Sequence, residues 1–172
     1  MKKAKKILMV ALILTIMLTL VSCSDSNQPT TKTPQIGIVQ IAPHPSLDNC
    51  YQGFLAGLAE AGYQDGQNIK INYQNAQGEM ANSDMIAKNM VSAKYDLILG
   101  IATPSAMSVY SAAKDTSIPV VFSAVSDPVS AGIVKSNEKP EYNCTGTSDI
   151  LPLEAQLQMI RAFLPEAKKI GI

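Results

Sequence analysis

Short apolar runs and longer helix-patterned stretches take turns along most of this chain, and that alternation restricts the fold more than any other feature. Ile36-Gly37-Ile38-Val39-Gln40-Ile41 is a compact β-rich run. Residues 47–61 follow with apolar side chains at Leu47, Tyr51, Phe54, Leu55 and Leu58, the spacing of an amphipathic helix. Gly62 suits a left-handed cap, and Tyr63-Gln64-Asp65-Gly66 supplies turn chemistry. Ile69-Lys70-Ile71-Asn72-Tyr73 alternates as a strand with one open face does. A polar loop over 74–79 leads to a second helix over 83–93. Leu97-Ile98-Leu99-Gly100-Ile101 is apolar on both faces, as a central parallel strand should be. A third helix over 104–114, a fourth strand over 118–122 and a short helix over 129–134 come next, then an irregular stretch containing Pro and Asn. Leu157, Ile160 and Leu164 mark a helix over 153–164, and Ile170-Gly171-Ile172 opens another strand. Repeated β-α units of this length predict an α/β fold: a doubly wound parallel sheet, helices on both faces, strand order 2-1-3-4-5 and right-handed crossovers.

Ligands of such sheets sit beyond the carboxyl ends of the strands, near the point where strand order reverses. Three strand-to-helix loops fall there: 42–48 (APHPSLD), 102–106 (ATPSA) and 123–128 (SAVSDP). A hydroxyl or Asp followed by proline is also an ordinary helix start. Three such starts on one rim favour a shared binding surface. Free amides at a helix start receive anions, and Thr103 and Ser105 add neutral hydroxyls beside them. No Lys or Arg is close in sequence to suit a phosphate, so a carboxylate is the expected guest. Asp127 either pairs with an ammonium group or caps its own helix. His44, the single histidine, either touches ligand or is a solvent-exposed loop imidazole.

The chain has no HExxH, GxSxG or Walker loop, and no GxGxxG after a strand. No nucleophile stands at useful spacing from a base, so the expectation is a binding protein without cofactor or metal and not an enzyme. Gly53 and Gly57 are expected to pack closely on the sheet, and Met80, Met85 and Met90 to fill core. Cys50 and Cys144 lack metal-ligand spacing. An oxidising compartment permits a bridge between them, while two independently buried thiols are the commoner arrangement.

The first residues address the chain. Lys2, Lys3, Lys5 and Lys6 precede an apolar run over 7–21, and Leu20-Val21-Ser22 leads to Cys23. A charged head, a short apolar segment and a small residue before the cut describe a secretory signal peptide over 1–22. The run, roughly 15 residues, is shorter than the roughly 20 that a spanning helix needs. Leu-Val-Ser before cysteine resembles the lipobox of bacterial lipoproteins. That implies acylation of Cys23 and anchoring to the extracytoplasmic face of the cell membrane, with residues 23–34 as lipidated cysteine and flexible tether. Four of the 14 basic residues lie in the leader, which leaves 10 against 14 acidic residues and a formal −4 for the remainder. No basic patch interleaved with aromatics is present, so nucleic acid is not an expected partner.

At the three loops the sequence resembles the ABC-transporter substrate-binding lipoproteins of the tryptophan/tyrosine type. The matching segments are Tyr73-Gln74-Asn75-Ala76-Gln77-Gly78, Ile101-Ala102-Thr103-Pro104-Ser105-Ala106, Val125-Ser126-Asp127-Pro128-Val129-Ser130-Ala131-Gly132, and Asn143 with Thr145-Gly146. The resemblance runs from about Ile36 to the last residue. It implies the N-terminal lobe, over 35–165, of a type I periplasmic binding protein that closes on a free amino acid and delivers it to a membrane permease. Thr103, Ser105 and Ala106 would then hold the carboxylate, with polar contacts from Ser123 and Asp127. Cys50 and Cys144 depart from the family pattern. Family members continue for another lobe, and Lys169-Ile170-Gly171-Ile172 echoes Gln35-Ile36-Gly37-Ile38, so residues 166–172 are expected to open a second lobe that this chain lacks. A ligand-sensing lobe for a membrane kinase and a surface-tethered hydrolase or racemase are the alternatives.

Overall fold

A computed structural model of the chain describes residues 32–140 and 142–171. The signal peptide, Cys23 and most of the tether fall outside those residues. The compact unit spans Thr33–Ile172.

Its five strands are β1 (Gln35–Gln40), β2 (Lys70–Asn75), β3 (Leu97–Ile101), β4 (Val120–Val125) and β5 (Cys144–Ser148). The helices are α1 (Pro45–Glu60), α2 (Met80–Ser92), α3 (Thr103–Ala113) and α4 (Leu153–Phe163). The strands form one sheet in the order β2-β1-β3-β4-β5, as expected from the pattern. Every pairing is parallel, with Ile38 opposite both Tyr73 and Leu99, and Leu99 opposite Val121.

Alternation along each strand sends side chains to two cores. Ile36, Ile38, Leu99 and Ile101 face α1 and meet Leu47, Tyr51, Phe54 and Leu58. Val39, Ile98, Val120 and Phe122 face α2 and α3, against Ile86, Met90, Ala106 and Val109. Both faces are therefore covered. Cys144 belongs to the second core and Cys50 packs against the first, so the two thiols lie on opposite sides of the sheet and are free. Burial pushes the Cys144 thiol up to about 12, which keeps it protonated.

Several expectations need correction. Residues 129–134 form a turn and not a helix: Ala131 N donates to Asp127 O at 2.9 Å, Gly132 N to Val129 O at 2.9 Å, and Gly132 takes a φ of 71° that ends any helical path. The irregular stretch conceals β5, whose sequence CTGTS has one buried residue, Cys144, and so gives no apolar run. Gly53 and Gly57 face solvent, and a Cβ at either would meet nothing within 4 Å. The close packing lies elsewhere: a Cβ on Gly37 would come within 2.5 Å of Met90 Sδ. Met90 is core, but Met80 and Met85 are exposed. Both end up on the outer side of α2, because Ser83, Ile86, Ala87 and Met90 take the inner one.

Asn143 explains how β5 is seated. Its Nδ2 donates to Ala113 O at 3.1 Å and Ile118 O at 2.8 Å, tying the end of α3 to the entrances of β4 and β5. Beyond β5, α4 has no buried residue, although Leu153, Leu157 and Leu164 recur at helical spacing. Ile170 and Gly171 carry no regular secondary structure.

Candidate functional site

Because all strands run the same way, the loops after β1, β3 and β4 share the carboxyl edge of the sheet. Thr103 and Asp127 thus lie on one rim. A main-chain bond from Ala102 N to Ser123 O, 2.9 Å, ties the second loop to the third.

The corner between β3 and α3 is tightly built. Gly100 lets the first turn of α3 lie on the strand, since a Cβ there would stand 2.6 Å from Ala106 Cα. Ala102, the residue before the helix, has φ 72° and ψ 155°, a region that glycine almost monopolises. No side chain caps α3. Pro104 in the first turn has no N–H to leave orphaned. Thr103 is half-buried at this start. Ser105 and Ala106 are wholly buried. Ser105 Oγ accepts from Ser83 Oγ at 3.4 Å, across the contact between α2 and α3. Ser108 Oγ donates to Asp84 at 2.6 Å on the same seam. This corner therefore presents a helix start without a side-chain cap, with Thr103 half-buried and Ser105 and Ala106 fully buried.

The third loop differs. Ala124 also has a positive φ, 55°, where the register of β4 shifts against β5. Ser123 is half-buried, and its hydroxyl accepts from Thr147 Oγ1 at 3.5 Å. Asp127 is exposed, and its carboxylate is already held: Oδ1 accepts from Val129 N at 3.1 Å and Ser130 N at 2.9 Å, and Oδ2 from Ser130 Oγ at 2.6 Å. The Ser130 hydroxyl and amide hold its carboxyl below the usual range. Asp127 thus closes its own turn, where the cap of a helix was expected.

In the first loop, His44 is exposed and serves as the N-cap of α1, its Nδ1 accepting from Ser46 N at 3.2 Å. A residue missed in the sequence stands beneath it. Gln40, fully buried at the end of β1, donates through Nε2 to Ala42 O at 2.9 Å and Asp48 Oδ1 at 2.8 Å. A glutamine directly after the apolar run over 36–39 was the available signal. Its cross-strand neighbour Asn75 lies on β2, and Asn75 Nδ2 donates to Tyr73 OH at 3.2 Å.

Among the described residues no group of three or more His, Cys, Asp or Glu side chains is placed to hold a metal ion, and no helix is long and apolar enough to cross a membrane.

A five-stranded parallel sheet in this order, with an open rim of helix starts and hydroxyls, defines a lobe of the periplasmic-binding-protein kind. Residues 35–172 match the family of ABC transporter substrate binding proteins, and the chain belongs to that family. A tyrosine-binding protein of Clostridioides difficile (strain R20291) is 48% identical over 153 residues, covering 88% of this chain and 44% of the relative. The ligand-free, open structure of a substrate binding protein with adhesive properties from Clostridium difficile superposes with a TM-score of 0.71 at 46% identity, over 78% of this chain and 45% of that one. An ABC domain from Streptococcus pneumoniae in complex with L-Trp gives a TM-score of 0.72 at 42% identity, over 78% and 44% respectively. The chain therefore spans about half the length of these relatives. The expectation of a binding protein rather than an enzyme agrees with the family.

Proposed function

We propose that this chain carries one face of a receptor for a free amino acid, aromatic by preference, which serves an ABC importer outside the cytoplasm. The single observation that carries the reading is the uncapped start of α3 beside Thr103, on the edge where parallel α/β sheets take their ligands. A carboxylate fits there, because helix-start amides and a neutral hydroxyl supply donors without the fixed positive charge a phosphate would draw. The Ser123 hydroxyl and the outer lone pairs of the Asp127 carboxylate are acceptors for the ammonium group. The relatives named for tyrosine and solved with L-Trp support an aromatic side chain. The leader and Cys23 support anchoring through acyl chains at the extracytoplasmic face of the membrane, with a permease as the partner that receives the solute.

Closure of a second lobe over the rim would remove water from the zwitterion and strengthen each hydrogen bond to it. One lobe alone should bind weakly, with a dissociation constant of about 1 mM or higher. Titrating the chain with each of the twenty amino acids, read by amide chemical shifts, tests this. L-Tyr or L-Trp should move the Thr103 amide most, and Thr103→Val should weaken the response about tenfold, the worth of one hydrogen bond to a charged group. Shifts confined to α4, or none with any amino acid, would end the reading.

A further inference from the structure

We propose that Gln40 and His44 are positioning residues that hold the loop between β1 and α1, and that acid releases this hold. Gln40 grips the loop from the sheet. Its two Nε2 bonds, to Ala42 O and Asp48 Oδ1, reach both ends of the 42–48 segment and fix which way the amide faces. Its Oε1 is left buried without a hydrogen-bond partner. A buried acceptor in that state disfavours the arrangement that contains it. The two Nε2 bonds are the ties between this side chain and the loop.

His44 supplies another. Its backbone is extended, φ −159° and ψ 133°, and its Nδ1 accepts from Ser46 N. Its carbonyl accepts from Asp48 N at 2.9 Å. An imidazole accepting at Nδ1 carries its hydrogen on Nε2, and the imidazolium has no lone pair left to offer. Protonation therefore removes the cap and places a cation at the positive end of α1. Histidine is the side chain that ordinarily changes charge between pH 5 and 8. The carboxylate in the first turn of α1 is Asp48, already bonded to Gln40. The strands packed under α1, LILGI and VVFSAV, carry no charge, nor does β1, and β2 contributes only Lys70 at its opposite end.

The test follows the Ser46 amide of the ¹⁵N-labelled chain between pH 8 and pH 5, with exchange rates corrected for intrinsic pH dependence. In the unaltered chain, its protection should fall on the order of 2- to 30-fold in acid, the worth of an N-cap. His44→Asn keeps a capping side chain that does not titrate, so protection should persist at both pH values. His44→Ala should be unprotected at both, and Gln40→Met should raise exchange throughout 42–48 at both. A Ser46 amide indifferent to pH in the unaltered chain, or one that titrates equally in His44→Asn, would overturn the inference. Weaker capture of an amino acid in acid is a consequence that rests on the receptor reading. The amide measurement does not, so an intact Ser46 titration without ligand binding counts against that reading alone.

Discussion

The corners after β3 and β4 sit side by side on one rim, and each follows a residue with positive φ, yet they treat their backbone amides in opposite ways. After β4, Asp127 turns back and accepts from Val129 N, Ser130 N and Ser130 Oγ, so the turn is satisfied from within. After β3, no side chain returns to the start of α3, and the nearby hydroxyl of Ser105 is directed into the seam with α2. The start of α3, like those of α2 and α4, thus has no side-chain cap, whereas the turn after β4 is closed by its own aspartate. Gly100 lets α3 lie close to β3, and Ala102 leads the chain into the helix through a costly backbone angle.

The contrast breaks most completely at Gly100. Gly100→Ala drives a methyl group against the Ala106 backbone and should cost about 2–3 kcal/mol in urea unfolding, with the loss greater for valine. A substitution cost under about 0.5 kcal/mol would mean that α3 is free to lift off the strand. Next comes Ala102→Gly, which removes the strain at the corner. It should raise stability by about 1 kcal/mol, whereas ordinary loop glycines lower it. Ser105→Ala should cost about 1 kcal/mol through the lost Ser83 bond and leave ligand response unchanged, the reverse of Thr103→Val. An equal effect of both on ligand response would erase the distinction between a structural and an open hydroxyl.

The smallest effect belongs to Asp127. Its carboxyl is held below the ordinary value near 3.8, so the stabilisation is present above that value and lost as pH falls through the folded-state one. Asp127→Asn should therefore melt below the parent at neutral pH, and the gap should close as the solution is acidified toward pH 2. A gap that widens in acid would show the carboxylate is not held by donors.

The strands at the centre of the sheet were legible because each carries a short apolar run, most fully buried in β3. Beta5 was not, since an edge strand with one buried residue leaves no periodic trace. The rim was legible as a place, through three helix starts at strand ends. The assignment of roles on it was less so. Whether Ser105 faces solvent or Ser83 depends on how α2 packs against α3, about 22 residues away in sequence, which no local pattern encodes. Asp127 with Ser130 reads as a helix start, and the structure makes of it a closed turn. Gln40 reads as one more residue of the first strand, and its side chain bonds to both ends of the loop that follows.

The placement of the two thiols on opposite sides of the sheet has a practical reach. Cys144, with its proton held to about pH 12, is inert toward alkylating dyes at neutral pH, while Cys50 stands half-exposed on α1. A fluorophore therefore attaches at Cys50 without mutating its buried counterpart, once Cys23 is blocked. It would ride on the helix whose beginning His44 caps, giving the native chain its own optical gauge of that loop.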